Sequence, residues 1–187
     1  MTDADTNEGE RFPAFPKISR LRRRVVVTEK IDGTNALISI SPEGTIRAGS
    51  RSRWITPEAD NFGFARWVSE NAADLAKLGP GHHYGEWYGA GIQRRYGLDH
   101  KRFALFNAGR WSDPESRPAC VGCVPILADG IGETVIEGAI DRLRAEGSIA
   151  VPGFMRPEGV VVWHSASGSL YKVLLEGDET PKGEGGR

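Results

Sequence analysis

The chain has 187 residues, 39% hydrophobic and 26% charged, which describes one domain of ordinary size able to bury a core without disulfides. Its formal net charge of −1 excludes a protein that coats nucleic acid by bulk positive charge, though not one with a local basic groove. No apolar run approaches the ~18 residues needed to cross a bilayer, and residues 1–10 are acidic and polar rather than a secretory signal, so a cytoplasmic protein is expected.

Residues 1–10 and 177–187 are polar, charged or glycine-rich without periodicity and are expected to be disordered, leaving one domain over 11–176. The β-branched run 25–28 predicts a strand. Residues 36–41 alternate apolar and polar, and Pro42-Glu43-Gly44 reads as a turn, so 45–48 should return as a hairpin partner. Asp60 or Asn61 can cap a helix running to Leu78, with Phe64, Trp67, Val68, Leu75 and Leu78 on its apolar side. Gly79-Pro80-Gly81 stops it. Residues 83–88 and 102–108 are short, aromatic-rich strand candidates. Residues 133–146 predict a second helix, with Val135, Ile136, Ala139, Ile140 and Leu143 at helical spacing and Gly147 beyond its end. A last hairpin is expected from 159–164 and 170–175. Adjacent hairpins with two helices between them predict an α+β fold with antiparallel sheets.

Three basic clusters stand near glycine-rich motifs: Arg20, Arg22, Arg23 and Arg24; Arg51 and Arg53; and Arg94, Arg95, Lys101 and Arg102. Their placement points to phosphate contacts. The pair Cys120 and Cys123 supplies two of the four ligands of a structural zinc site, and no histidine stands at helpful spacing, so both read as reduced loop cysteines.

The chemistry-bearing residues fall at strand edges. Lys30 ends a buried-looking strand and is followed by Asp32-Gly33, a turn that leaves room for a ligand. Glu86 lies in the aromatic segment Gly85-Glu86-Trp87-Tyr88-Gly89. Phe106 follows twenty residues later in Arg102-Phe103-Ala104-Leu105-Phe106-Asn107. Glu158 precedes the apolar run Gly159-Val160-Val161-Val162, and Lys172 interrupts Leu170–Leu175, where a buried lysine needs an anion. Each alone has a purely structural reading: a surface lysine before a turn, or a carboxylate at a strand end. Five in this order are hard to ascribe to chance.

In that order the segments resemble the covalent nucleotidyltransferase superfamily of DNA ligases, RNA ligases and mRNA capping enzymes, over about residues 30–175. Lys30-Ile31-Asp32-Gly33 looks like motif I, Gly49-Ser50-Arg51 like motif Ia, Gly85-Glu86 like motif III, residues 103–107 like motif IIIa, Glu158-Gly159-Val160-Val161 like motif IV, and Lys172 like motif V. Lys-Ile-Asp-Gly-Thr-Asn, ending at Asn35, and Gly-Glu-Trp-Tyr-Gly-Ala-Gly-Ile-Gln, ending at Gln93, are most similar to the phage RNA ligase 2-like branch. The resemblance implies a nucleotidyltransferase fold, antiparallel sheets flanked by helices around an ATP cleft.

It also implies roles. Lys30 would attack the α-phosphate of ATP and carry AMP. An amine is protonated at neutral pH, so the site must favour its neutral form through neighbouring cations and desolvation. Mg2+ (or Mn2+), held by Asp32 and Glu158, and the ammonium of Lys172 would supply charge and stabilise the transition state. Phe106 would stack on adenine, Glu86 would accept from the ribose, Arg51 (or Arg53) would hold phosphate or the ribose rim, and Asn35 would orient the nucleotide or the 3′-OH end. Among the tryptophans, Trp54 is the best candidate to stack a base, since it follows Arg51 and Arg53.

The partner implied is nicked or broken RNA, also as an RNA/DNA duplex. The chain departs from the pattern in carrying one lysine where motif V commonly has Lys-x-Lys. It also ends soon after Lys172, which reads as an adenylylation domain alone, one that would draw on a separate end-processing or substrate-binding protein. The alternatives are a nick-sealing DNA ligase and a non-catalytic nucleic-acid end-binding protein with the same fold.

Overall fold

The computed structural model describes residues 13–179. The expected disorder of residues 1–10 and of 180–187 lies outside the described residues. Of the expected 177–187 tail only residues 177–179 are described, and there Asp178 accepts a hydrogen bond at 3.1 Å from the Leu174 amide.

The elements in chain order are β1 (Arg24–Lys30), β2 (Thr34–Ile40), β3 (Ile46–Ser50), β4 (Trp54–Ile55), α1 (Phe64–Glu70), α2 (Ala72–Leu75), β5 (Gly81–Gly89), β6 (Lys101–Leu105), α3 (Ala108–Trp111), β7 (Gly122–Cys123), β8 (Ile126–Ile131), α4 (Glu133–Glu146), β9 (Gly159–His164) and β10 (Ser169–Leu174). They build a four-stranded sheet, β10-β9-β1-β8, and a six-stranded sheet, β4-β3-β2-β5-β6-β7. Pairing is antiparallel throughout except between β6 and β7, which run parallel.

Each sheet has one apolar face because its strands alternate with period two. In β2, Ala36, Ile38 and Ile40 turn inward onto α1 and α2 with Phe64, Val68, Leu75, Phe103 and Leu105. In β1, Val25 and Val27 pack with Ala139 and Leu143 of α4 and with Val160 and Val162 of β9. A third cluster joins the sheets: Ile31, Tyr88, Tyr96, Ala104, Val124 and Val151. The open faces carry Thr28 and Lys30 of β1, Asn35 and Ser39 of β2, and His82 and Glu86 of β5, whereas Glu29 and His83 are buried on the inward faces.

Three expectations need correction. The helix foreseen up to Leu78 breaks at Asn71, whose side chain donates to the Trp67 carbonyl at 2.8 Å; α1, α2 and a 3-10 turn over Ala76–Leu78 replace it. Asp60 still accepts from the first-turn amides of Ala65 and Arg66, at 2.7 and 3.0 Å. The strand expected over 102–108 stops at Leu105, because Asn107 caps α3 by accepting from the Arg110 amide. The last strand is not buried: Lys172 is exposed on the edge strand β10, with Leu170 68% and Tyr171 55% accessible. An edge strand leaves one margin and one face to solvent, which an apolar run by itself does not reveal. The sequence reading missed β4, β7 and β8; in β8, Asp129 and Gly130 lack strand propensity, and pairing with β1 overrides it.

Candidate active site

Lys30 ends β1 on the face away from α4, in line with Val26 and Thr28. Cross-strand partners share a face, so the register Lys30↔Gly159↔Leu174 and Thr28↔Val161↔Lys172 puts Lys172 on the Lys30 face of the four-stranded sheet. Two interstrand steps and two residues along the strand separate their backbones, about 12 Å. Glu158 precedes the residue that pairs with Lys30, and its Oε2 lies 2.5 Å from Lys30 Nζ.

From Lys30 the chain crosses to the other sheet. Ile31 is buried in the joining cluster and acts as the pivot. The Asp32 amide donates to the Tyr96 hydroxyl at 2.7 Å, and Arg94 Nε donates to Asp32 Oδ2 at 3.0 Å. The same guanidinium donates to the Arg156 carbonyl at 3.0 Å, tying the Asp32 turn to the segment that leads into Glu158. Gly33 fits because it has no side chain: a Cβ there would strike the Trp87 carbonyl oxygen and come within 2.8 Å of Tyr88 Cβ. Its amide donates to Glu86 Oε1 at 3.0 Å.

Asn35 pairs with Glu86 across β2 and β5, and its side chain donates to Glu86 Oε2 at 3.4 Å. Beside them a pocket of about 170 Å³ is lined by Asn35, Ala36, Leu37, Ser50, Arg51, Tyr84 and Phe106. That is smaller than the ~300 Å³ and upward of pockets that enclose a whole small ligand, and suits one part of a nucleotide. Phe106 is 41% exposed there, its ring free to stack. Arg51 lines the pocket and Arg53 does not.

Burial pushes the Glu86 carboxyl up to about 7, with Glu158 and Asp32 adding to the rise and Lys30 and the Gly33 amide opposing it. Burial likewise raises the Tyr96 hydroxyl well above its usual range and lifts the thiols of Cys120 and Cys123, the latter to about 11, consistent with inert cysteines. Those thiols line a separate pocket of about 490 Å³ to which none of the site residues contributes.

Asp32 and Glu158 are the oxygen donors suited to a divalent cation. Among the described residues no group of three or more histidines, cysteines or carboxylates could hold one. Mg2+ is typically bound by one or two carboxylates, with water and substrate phosphate completing its shell.

The sequence reading did not single out four residues that hold this site. Glu29 is 1% exposed and accepts from Ser148 Oγ and from the Ile149 and Ala150 amides at 2.5, 2.8 and 2.8 Å, anchoring the loop after α4 behind Lys30. Its signal was a carboxylate on the inward period of β1. Tyr84 lines the pocket of about 170 Å³ beside Glu86. Tyr96, and Arg94 as more than a member of a basic cluster, carry no local signal; a loop with positive φ at Gln93, Arg95 and Tyr96 places them. Such backbone costs about 1–3 kcal/mol per residue and persists where packing enforces it; here Tyr96 packs on Tyr88 and Phe154.

The fold has known counterparts. Naegleria gruberi RNA ligase matches as a mutant with ATP and Mn (TM-score 0.59, 20% identity, covering 83% of this chain and 51% of that one). It also matches as an apo mutant (0.58, 19%, 82% and 50%) and as a mutant with AMP and Mn (0.54, 20%, 82% and 50%). The chain thus spans about half the length of the solved structures it resembles. No curated protein matches it in sequence. The RNA ligase family model matches residues 23–174. By that match over most of its length, the chain belongs to the RNA ligase family.

Proposed function

We propose that the chain is the nucleotidyltransferase part of an ATP-dependent RNA ligase, which joins 5′-phosphate and 3′-hydroxyl ends through AMP carried on Lys30. One observation supports this reading above others: Lys30 meets Glu158 and shares its sheet face with Lys172, while the turn after it brings Gly33 and Asn35 onto Glu86.

Lys30 Nζ attacks the α-phosphorus of ATP as the bond to pyrophosphate breaks. Glu158 Oε2, 2.5 Å from Nζ, is placed to hold the proton that the amine gives up. Lys172, on the same sheet face, meets the negative charge of the phosphates. A divalent cation held by Asp32 and, directly or through water, by Glu158 before it takes that proton would supply Lewis-acid stabilisation of that charge. Phe106 stacks the base, Glu86 and Asn35 meet the ribose, and Arg51 holds its rim or the phosphate. AMP then passes to a 5′-phosphate, and a 3′-hydroxyl displaces it to form the new phosphodiester. RNA is the substrate; a separate protein that prepares or presents the ends is also proposed.

Incubation with α-labelled ATP and Mg2+ tests the first step. Label should enter the wild-type chain and be absent from Lys30→Ala; equal labelling of the two would overturn the assignment. Nicked duplexes ending in ribose or deoxyribose at the 3′-hydroxyl test the substrate, and sealing indifferent to that ribose would point to DNA.

A further inference from the structure

The open face of the six-stranded sheet continues past the pocket lined by Arg51 and Phe106. Register gives its rows: Asn35, Glu86 and Ala104; then Trp54, Gly49, Leu37 and Tyr84; then Arg47, Ser39 and His82. The opposite face holds the core, including Ala36, Ile38, Ala48 and Ile55. The second and third rows are the unusual ones. Trp54 is 47% and Tyr84 56% exposed, although aromatic side chains of this size normally bury their area.

The indole of Trp54 leans over Gly49, where a Cβ would stand 3.5 Å from its Cε3 and 3.3 Å from Leu37 Cβ. A side chain at Gly49 would crowd it from that position. Arg47 sets its guanidinium 4.0 Å from the Trp54 ring centroid. Among the described residues, Arg47, Arg51 and Arg53 form no ion pair, whereas Arg24, Arg94, Arg142 and Arg144 each meet a carboxylate. Glu86, the sole carboxylate in the three rows, is buried at the inner end.

Flat π faces with unclaimed guanidinium groups beside them match a nucleobase and its phosphate. A protein partner would call for an apolar patch with paired charges; a phosphate-bearing strand calls for this one. We propose that Trp54 and Arg47 form the centre of a stacking shelf for unpaired RNA bases, next to but outside the nucleotide pocket. The inference rests on the RNA ligase reading and adds a preference: RNA with unpaired nucleotides near the end to be joined binds better than a fully paired one.

The test uses a short single-stranded oligoribonucleotide and a fully paired RNA hairpin, with tryptophan fluorescence and binding measured for wild type, Trp54→Ala, Trp54→Phe and Arg47→Ala, alongside labelling by α-labelled ATP. Stacking of one base is worth about 1–3 kcal/mol, so Trp54→Ala should bind the single strand about 5- to 150-fold more weakly and lose most of the quenching. Trp54→Phe should fall between in affinity while losing the quenching, Arg47→Ala should flatten the salt dependence, and labelling should stay at wild-type level in all three.

The shelf is refuted if Trp54→Ala binds the single strand as wild type does, or if the hairpin binds and quenches as well as the single strand. It is also refuted if Trp54→Ala loses labelling, which would put Trp54 in the nucleotide pocket, or if sizing finds a wild-type dimer that Trp54→Ala dissolves. Absence of label from wild type would instead sink the ligase reading while leaving RNA binding to be read on its own.

Discussion

Glu86 is both a ribose acceptor in the proposed site and a carboxyl that prefers its proton. The unfolded chain releases that proton near 4.5 and the folded chain at about 7, so between those values the folded state holds more protons. Stability from this group is therefore complete below 4.5, falls as pH climbs through that window and levels off above 7; the whole change is roughly 3 kcal/mol. Glu29 and His83 also shift, in directions of opposite consequence, so the informative quantity is a difference between variants. Urea unfolding should find Glu86→Gln gaining on wild type by up to roughly 3 kcal/mol between pH 4.5 and 8. A constant offset across that range would show that Glu86 does not titrate there. The same variant should label slowly, since an amide presents the ribose with one acceptor where a carboxylate has two.

At the scale of elements, β1 and the loop after it, where the proposed chemistry lies, are braced from distant segments. Glu29→Ala would leave Ser148 Oγ and the Ile149 and Ala150 amides without their acceptor in a buried place. A loss of roughly 3 kcal/mol in urea unfolding is expected; a loss under about 1 kcal/mol would mean that water takes the vacated position. Arg94 braces Asp32 and the Arg156 carbonyl at once. Arg94→Ala should raise the divalent-metal concentration needed for half-maximal labelling by about 10- to 100-fold, as loss of a ligand's outer partner commonly does. Arg94→Lys should recover little, because a point charge replaces two fixed N–H groups. Unchanged metal dependence would assign Arg94 to loop structure alone.

At the scale of the whole molecule, the proposed site lies where the two sheets meet, and Gly33 permits the close approach there. A methyl group there cannot coexist with the Trp87 carbonyl oxygen, so Gly33→Ala must push the Lys30 turn away from Glu86. Leu143→Ala, in the α4 core of the other sheet, is a control of at least equal destabilisation at about 2–5 kcal/mol. Labelling should drop far more for Gly33→Ala than for Leu143→Ala under conditions where both are folded by circular dichroism; equal loss would mean that the junction tolerates separation. Among the described residues no helix is long and apolar enough to cross a membrane.

The amino-acid sequence by itself determined the periodic elements and the order of the reactive segments. Residues 133–146 and 159–164 appear with the expected bounds because a helical or β-branched pattern is local. Lys30, Asp32, Phe106 and Glu158 stood out because glycine, aromatic and apolar neighbours marked strand ends beside them, and Glu86 as a carboxylate within an aromatic strand. Other features depend on contacts between residues far apart in the chain, and only the tertiary structure decided them. Lys172 is exposed rather than buried because β10 is an edge strand. Asn71 ends a helix that the apolar spacing would have continued, because its amide takes the Trp67 carbonyl. Arg94, Tyr96 and Glu29 brace residues between 62 and 121 positions away, and Trp54 stands clear on a sheet face that no periodicity in its two-residue strand could announce. Local pattern fixes which way a side chain alternates; what it then faces depends on which strand comes to lie beside it.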